Sequence, residues 1–399
     1  MRGKPLVFAM CAGQVGNLLP HVVVPAVMVG HLIPLWGLSN AQAGLLAASY
    51  AAGYMLAVPV LASLTDRIDA RVLLGVGSLA SSAATLAFGW LAQGLFSAML
   101  LWALAGVGFA GAYMPGLRAL TDRLDPGDAS RSVTFYTSSY SLGVGMSFLV
   151  SQLVAETLGW RWSFTLTGLG PLVMVAAAAR MRPVPPPPRP PGARLLDFRP
   201  VLRNRAAMGY ILGYAAHCFE LYGMRTWIVA FWTFVAARHG GQALLEPITV
   251  SVLVTLLAMP ASIFGNECAI RYGRHRAITV IQVLSAATAL GIGLMAGGPP
   301  GLLLALVLVY AVTVPADSGS LTAGMSASAD PRFKGATLAM HSMAGFGLSA
   351  LAGWLVGVAL DAFGGSASPG GWFAAFAVLG AGVLAGPFAL RWSRARPPG

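Results

Sequence analysis

Apolar runs of about 20 residues recur along the whole chain, and this is the length that crosses a hydrocarbon core roughly 30 Å thick. Hydrophobic residues make up 57% of the chain and charged residues only 10%, whereas soluble domains carry about 25% charged residues. A transmembrane β-barrel would instead show short segments of alternating polarity. The pattern predicts an all-α membrane protein with twelve transmembrane helices. The runs cover residues 5–30, 41–62, 72–93, 95–117, 132–157, 161–180, 206–236, 247–269, 277–297, 301–324, 335–360 and 372–391.

The basic residues are distributed very unevenly between the two sides of the predicted helices. The net charge of +12 by itself is compatible with nucleic-acid binding. However, all of the 25 Lys and Arg residues except Arg161, Arg225 and Arg238 fall in segments on one side if the N-terminus is inside. This asymmetry is the positive-inside pattern of membrane proteins. It predicts cytoplasmic N- and C-termini in a multi-pass protein of the inner (plasma) membrane, with the lipid bilayer and not a nucleic acid as partner.

A loop rich in proline and arginine divides the chain into two halves. The loop runs from Arg180 to Arg205 and contains the sequence PVPPPPRPP at Pro183–Pro191. Such a run favours polyproline II and cannot enter a helix. We therefore predict a six-helix bundle over 1–180, a cytoplasmic linker over 181–205 and a second six-helix bundle over 206–399.

The two halves repeat each other at offsets between 200 and 205 residues. Any one match is weak, but several in register indicate an internal duplication, and parallel half-repeats are typical of transporters. The prediction is therefore two pseudo-symmetric bundles. The matching features are Pro59 and Pro260, Pro115 and Pro315, Asp125-Pro126 and Asp330-Pro331, and Gly143-x-Gly145-x-Ser147 and Gly345-x-Gly347-x-Ser349.

The loop ASLTDRIDAR (Ala62–Arg71) between the second and third runs resembles the signature loop of the major facilitator superfamily. Ala62 and Asp69 stand where that family usually has glycine. The cognate loop GNECAIRYGRHR (Gly265–Arg276) retains the basic pattern but has Ile270 at the aspartate position, and the segment LGWRWSF is also common in the family. The resemblance covers the whole chain. It implies the twelve-helix fold, a central cavity and alternating access. It also implies gating roles for Asp66, Arg67, Arg71, Arg271 and Arg274.

Two departures from that family's proton-coupled drug exporters weigh against multidrug antiport without excluding it. Trp102 occupies the place of a buried arginine ahead of Gly106 and Gly108, and the fifth run lacks the exporters' Gly-Pro pair. Export of amphipathic compounds or drugs therefore stays an alternative.

The seventh run carries ionisable residues in its stretch Gly209–Trp227. Such residues at the depth of a bilayer core cost a few kcal/mol or more and usually mark a pathway. His217, Glu220 and Met224 fall at i, i+3 and i+7, on one helical face. We expect Glu220 to couple protons and His217 to hydrogen-bond it. Arg225 either pairs with Glu220 or, with Met224, binds substrate. A structural polar network is the alternative to both functions.

Gln14, Asn17 and His21 repeat the same spacing in the first run. Neutral amides and imidazole suit hydrogen bonding to a polar substrate, so we expect these residues to bind substrate; interhelical hydrogen bonding is the alternative. Asp317 follows Pro315, where the helix is expected to break, and is a candidate second proton site or gate partner.

The favoured function is secondary active transport of a small organic solute, coupled to protons, by a monomer that needs no cofactor and is not an enzyme. No HExxH, GxSxG or P-loop motif is present. His217, Cys218 and Met224 are of the kind that would suit copper(I), but Cys218 lies about 100° around the helix from His217. We therefore predict no metal site, and copper import remains an alternative. A non-transporting sensor with the same fold is another, but it would have no need of two polar stripes.

Overall fold

The computed structural model describes residues 3–124, 129–186, 196–241 and 243–394, and it is helical throughout. The first half contains α1 (Gly3–Leu18), α2 (Val23–Val27), a π-helix (Met28–Leu32), α3 (Ile33–Trp36), α4 (Asn40–Leu64), α5 (Ala70–Leu91), α6 (Leu95–Thr121), α7 (Ala129–Leu158), α8 (Trp160–Leu169) and α9 (Pro171–Ala179). The second half contains α10 (Arg199–Arg203), α11 (Arg205–Arg238), α12 (Pro247–Leu256), α13 (Ala258–Tyr272), α14 (Arg274–Leu294), α15 (Pro300–Thr313), a 3₁₀ helix (Val314–Asp317), α16 (Ser318–Ser328), a 3₁₀ turn (Pro331–Phe333), α17 (Lys334–Ala362), α18 (Pro369–Val383) and α19 (Ala385–Arg394).

Many of these helices are long and apolar enough to cross a membrane. Within the described ranges 10 spans meet that test, and a bent pair formed by 3–18 and 23–36 makes an eleventh. The 34-residue α11, which contains Glu220 and Arg225, is not among them, although at about 1.5 Å per residue it is long enough to span. The all-α membrane class is confirmed, while the count of twelve and the cytoplasmic location of both termini stay predictions.

The first predicted run is not one continuous helix. It breaks after Leu18, and its two parts are bent by 46°. Pro20 lies in the break and has no amide hydrogen to continue the ladder. Ser147 satisfies two backbone groups at the break, because its hydroxyl donates to the Leu19 carbonyl at 2.6 Å and accepts from the Val22 amide at 3.2 Å. The expectation that Gln14, Asn17 and His21 share one helical face is therefore wrong for His21, which lies in the turn.

The expected break at Pro315 is confirmed. A 3₁₀ helix at Val314–Asp317 separates α15 from α16, and it positions the buried Asp317 at its last residue. Pro59 and Pro115, in contrast, lie inside continuous helices. Asp330 caps the 3₁₀ turn that follows α16 by accepting from the Arg332 amide at 2.9 Å. The matching Asp125-Pro126 pair lies outside the described residues, as do residues 187–195 of the predicted linker.

The chain forms two compact units, the first comprising residues 1–27 and 49–197 and the second residues 28–48 and 198–399. The predicted bundle boundaries at 180 and 206 stay predictions. Close helix contacts define each unit. In the first unit, Gly106 of α6 lies against the Tyr50 backbone, and in the second, Gly265 of α13 lies against the Ala316 backbone. A side chain at either glycine would collide with that backbone.

Candidate functional site

Glu220 on α11 is buried at 1% exposure and is held by two neutral hydroxyls of the second unit. The Ser285 hydroxyl of α14 donates to its Oε2 at 2.9 Å, and the Tyr310 hydroxyl of α15 donates to its Oε1 at 3.0 Å. No ion pair involves this carboxyl group within the described chain. A carboxyl group with only neutral partners can bind and release a proton without breaking an ion pair.

Asp317 forms a second buried carboxylate site in the same unit. Its Oδ1 lies 2.6 Å from His217 Nδ1, and its Oδ2 accepts from Gln282 Nε2 at 2.7 Å. The prediction that His217 hydrogen-bonds Glu220 is therefore wrong, because the ring is turned toward Asp317. Gln282 and Ser285 are one turn apart on α14, so one face of this helix supports both carboxylates.

Arg225 is buried at 4% exposure on the same helix as Glu220. Its guanidinium carbon lies 5.5 Å from the ring centroid of Tyr222, and its Nε has no hydrogen-bond partner. No carboxylate of the described residues forms an ion pair with it, so the expected pairing with Glu220 is not found. Met224 beside it is also buried. Within the described part of the chain this buried cation contacts a ring face and no carboxylate, so its capacity to bind an anion is unused there.

The first unit contains a different kind of polar cluster. Gln14 Oε1 accepts from the Tyr136 hydroxyl at 2.9 Å, while its Nε2 has no partner. Asn17 is 1% exposed, and neither its amide oxygen nor its amide nitrogen has a hydrogen-bond partner among the residues that the structure describes. Buried amides of this kind are normally satisfied, so an unpartnered one needs an explanation.

His21 lies in an aromatic environment in the same unit. Its Nε2 is 3.0 Å from the Tyr140 hydroxyl, and its ring lies 5.3 Å from that of Tyr50 and 5.4 Å from that of Phe109, centroid to centroid. Trp102 continues this aromatic packing, with its ring centroid 4.9 Å from that of Tyr50. The residue at the place of the exporters' buried arginine is thus part of an aromatic core.

The predicted gating loop of the first unit is organised by Asp69 and not by Asp66. Asp69 accepts from Arg123 Nη2 at 2.7 and 2.9 Å, from the Arg71 amide at 3.0 Å and from the Val184 amide at 2.9 Å. Burial raises the pKa of Asp69, but the hydrogen bonds from Arg123 and the two amides prevail and hold the pKa below its usual value. Asp66 is half exposed and lies 3.7 Å from Arg118.

The predicted basic gating residues lie at the helix ends. Arg71 Nη1 donates to the Met181 carbonyl at 2.8 Å, whereas Arg67 is exposed. In the second unit, the Arg271 guanidinium lies 5.5 Å from the ring centroid of Tyr272. Arg274 begins α14 after Gly273, whose φ of +90° favours glycine. Their gating role stays a prediction.

No cluster of metal ligands accompanies these residues. Within the described ranges there is no group of three or more His, Cys, Asp or Glu side chains that could hold a metal ion, and all three cysteines are free. The copper alternative therefore gains no supporting observation.

Comparisons with known proteins agree with this architecture. A sequence model of the Major Facilitator Superfamily matches residues 7–344. The D-galactonate transporter of Escherichia coli O6:H1 is 32% identical over 145 residues, which is 36% of this chain and 33% of that protein. Protein spinster homolog 3 of Danio rerio is 23% identical over 255 residues, which is 60% of this chain and 50% of that protein. The matched segment thus spans a third to a half of these curated relatives.

Two solved structures show the same fold over nearly the whole chain. A bacterial homolog of the human lysosomal transporter spinster, inward-facing and unoccupied, has a TM-score of 0.74 at 18% identity, covering 98% of this chain and 96% of its own. A D-xylose-proton symporter has a TM-score of 0.76 at 14% identity, covering 99% of this chain and 100% of its own. Because the family model matches residues 7–344, the chain belongs to the Major Facilitator Superfamily.

Proposed function

We propose that this protein is a proton-coupled transporter of a small organic anion that works by alternating access. The observation that carries the proposal is Arg225, a buried guanidinium that has no acidic partner among the described residues and lies on the same helix as the buried Glu220. One helix of the second unit thus supplies both a group suited to an anion and a group suited to a proton.

The anion preference follows from the state of Arg225. A charged side chain inside a membrane costs a few kcal/mol or more, and an uncompensated one is usually paired. The planar guanidinium matches the two oxygens of a carboxylate, which would compensate the charge on binding. The relative that transports D-galactonate supports this class, because galactonate is a polyhydroxylated carboxylate.

The hydroxyl groups of such a substrate require neutral hydrogen-bonding partners. Asn17 offers an unpartnered donor and an unpartnered acceptor, and Gln14 offers an unpartnered donor. His21 and Met224 complete the set of proposed substrate-binding residues. A substrate hydroxyl both donates and accepts, so it can satisfy an amide that the protein leaves unpaired.

Proton coupling is proposed for Glu220, with His217 and Asp317 as a second site. Protonated Glu220 is neutral and must donate one hydrogen bond, so the Tyr310 or Ser285 hydroxyl rotates to accept it. Such a change needs no large movement, since hydroxyl rotors are free to reorient. At the second site His217 Nδ1 and Asp317 Oδ1 lie 2.6 Å apart, within reach for direct proton transfer.

The proposal is tested by uptake into liposomes that contain the purified protein. The panel holds D-galactonate, other sugar acids, neutral sugars and amphipathic cations. We expect sugar acids to be taken up and Arg225→Gln to raise their KM by about tenfold to a hundredfold, the effect of losing one charge-assisted bond. Arg205→Gln is the matched control, since Arg205 lies on the same helix with its guanidinium over the ring of Trp392.

Two outcomes would contradict the proposal. One is equal uptake of neutral sugars and sugar acids, and the other is an Arg225→Gln variant with unchanged KM for the acids. Either result would show that the substrate is not an anion recognised by Arg225. Transport of amphipathic cations alone would support the exporter alternative.

A further inference from the structure

The second unit carries an apolar groove of 640 Å³ on the surface formed by α13, α14 and the end of α15. Its walls include Phe264, Val280 and Leu284, whose side chains are 69%, 50% and 53% exposed. Apolar side chains this exposed on a membrane-spanning unit contact lipid. The groove therefore opens toward the bilayer.

Small residues form the floor of the groove. Gly265 of α13 lies against the backbone of Ala316, and both line the groove together with Ala277. Because Gly265 and Ala316 have small side chains or none, the surface between the larger residues on either side is recessed. The groove is thus a built feature of the packing between α13 and the 3₁₀ break.

The groove has one charged end and one apolar end. Tyr272 and Arg276 line it beside the turn at Gly273, and Leu284 lines it farther along α14. Eight residues separate Arg276 from Leu284, which is about 12 Å of helix. One leaflet of the hydrocarbon core is about 15 Å thick, so the groove extends over most of a leaflet.

Arg276 can give the groove a preference for lipids with a negatively charged headgroup, which apolar walls alone do not have. Hydrocarbon surrounds the whole unit, so an apolar wall by itself prefers no particular lipid. The exposed Arg276 forms no ion pair with any carboxylate in the described chain, and Arg271 and Arg274 lie at the same helix ends. The nearby exposed Glu267 does not line the groove. This end is therefore positively charged.

We propose that the groove binds an anionic phospholipid, with the phosphate on Arg276 and one acyl chain along Val280 and Leu284. Tyr272 lies at the headgroup level, where aromatic side chains are typical of membrane interfaces. The site is separate from Glu220 and Arg225, and the inference does not depend on which solute is transported.

The experiment measures lipid bound to the purified full chain by native mass spectrometry. The probes are dioleoyl phosphatidylglycerol and dioleoyl phosphatidylcholine, which share their acyl chains and differ in headgroup charge. We expect the wild type to prefer phosphatidylglycerol and Arg276→Gln to lower the preference about fivefold, the effect of one arginine at a charged lipid surface. Arg203→Gln, at an exposed arginine of the same unit, should keep it.

A second pair of variants tests the acyl-chain position. Val280→Trp fills the groove and should reduce binding of both lipids, whereas Val283→Trp alters a residue of α14 that is 46% exposed but does not line the groove. A wild type without headgroup preference, or a preference that survives Arg276→Gln, would overturn the proposal. So would equal lipid binding by the two tryptophan variants.

Discussion

The two units contain buried polar clusters that differ in chemistry and in hydrogen bonding. In the first unit the groups are neutral, and both amide atoms of Asn17 are unpartnered. In the second unit both oxygens of Glu220 and the Oδ2 of Asp317 accept hydrogen bonds from protein donors, and the Oδ1 of Asp317 lies 2.6 Å from His217 Nδ1. An unpaired buried polar group costs about 1–3 kcal/mol, so it persists best where a ligand uses it. The Glu220 carboxyl group, whose partners are two neutral hydroxyls, is suited to exchanging protons. In the proposed function the first cluster therefore binds the hydroxyl groups of the substrate, Arg225 of the second unit binds its carboxylate, and Glu220 couples protons.

The largest expected effect is the loss of coupling in Glu220→Gln. With an outside more acidic by one pH unit, cotransport of one proton with each anion supports about tenfold accumulation inside, since one pH unit corresponds to about 1.4 kcal/mol. Glutamine keeps the size of the side chain and its hydrogen bonds but cannot carry the proton. We expect no accumulation above equilibrium, with counterflow exchange of the same anion retained. The measurement is uptake of labelled D-galactonate into liposomes with and without the gradient.

Glu267→Gln is the matched control for this experiment, because Glu267 is an exposed carboxylate of the same unit. It should accumulate the anion as the wild type does. If Glu220→Gln accumulates as much anion as the wild type, Glu220 does not couple protons. Coupling then belongs to Asp317 and His217 or to neither site.

The signature loops of the two units also differ, because only the first has a charged side chain that caps the helix after it. The variant Asp69→Asn measures how much this cap and its bonds to Arg123 contribute to stability. Asp69 caps α5 and binds Arg123, whereas the corresponding α14 begins at Gly273 without a side-chain cap. Loss of the charge-assisted bonds should lower stability by about 2 kcal/mol. Asp66→Asn, at a half-exposed residue 3.7 Å from Arg118, should change stability by less than about 1 kcal/mol. Thermal unfolding in detergent checks both.

The pH dependence of stability gives a second test of the contribution of the Asp69 carboxylate. Its folded pKa is below the ordinary value, so its stabilisation is fully present above the unfolded pKa of about 3.9 and is lost as the pH falls through the folded pKa. The difference in unfolding temperature between wild type and Asp69→Asn should be constant near neutral pH and vanish in strong acid. Equal stability at neutral pH would show that the bonds to Arg123 contribute nothing.

Asn17→Leu tests whether the first cluster is built for substrate. Asn17 has no hydrogen-bond partner in the described ranges, so replacement by a residue of similar size removes none of the hydrogen bonds seen there. We expect unchanged or higher stability and a KM raised about tenfold, the effect of one or two lost hydrogen bonds. Gln14→Leu is the contrast, because it leaves the buried Tyr136 hydroxyl without its acceptor and should lower stability. If both variants behave alike, Asn17 is structural.

Sequence patterns predicted the features that depend on composition and local chemistry. The apolar runs, the break at Pro315 and the burial of Glu220 follow from helix length, the missing proline amide and the position of a charge within an apolar run. The signature loop also identified the family. These signals act within one helix or one loop.

The partners of the polar residues were not predictable, because they depend on how neighbouring helices are rotated against each other. Periodicity places His217 and Glu220 on one face but does not say that one meets Asp317 and the other Ser285. His21 was misplaced because the proline before it ends α1. Asp69 was missed as the centre of its loop, although an aspartate just before an apolar helical run is a recognised cap signal.

The smallest expected effect concerns Asp361, near the end of α17 in the second unit. Its carboxylate accepts from the Asn40 amide at 3.0 Å, from Asn40 Nδ2 at 2.7 Å and from the Ala41 amide at 2.7 Å. It thereby caps the first turn of α4 with a negative charge, which favours a helix N-terminus. Asp361→Asn should lower stability by about 1 kcal/mol.

Glu156, which lies 205 residues earlier at the equivalent end of α7, provides the comparison in the first unit. It is exposed, so Glu156→Gln should change stability by less than about 0.5 kcal/mol. Hydrogen exchange of the Asn40 and Ala41 amides separates a cap from a general electrostatic effect, because only the loss of a cap exposes these two groups. Faster exchange at residues 40–41 in Asp361→Asn alone would extend the contrast between the units to their helix ends. Unchanged exchange there would mean that the Asp361 carboxylate does not hold α4, whatever the change in unfolding temperature.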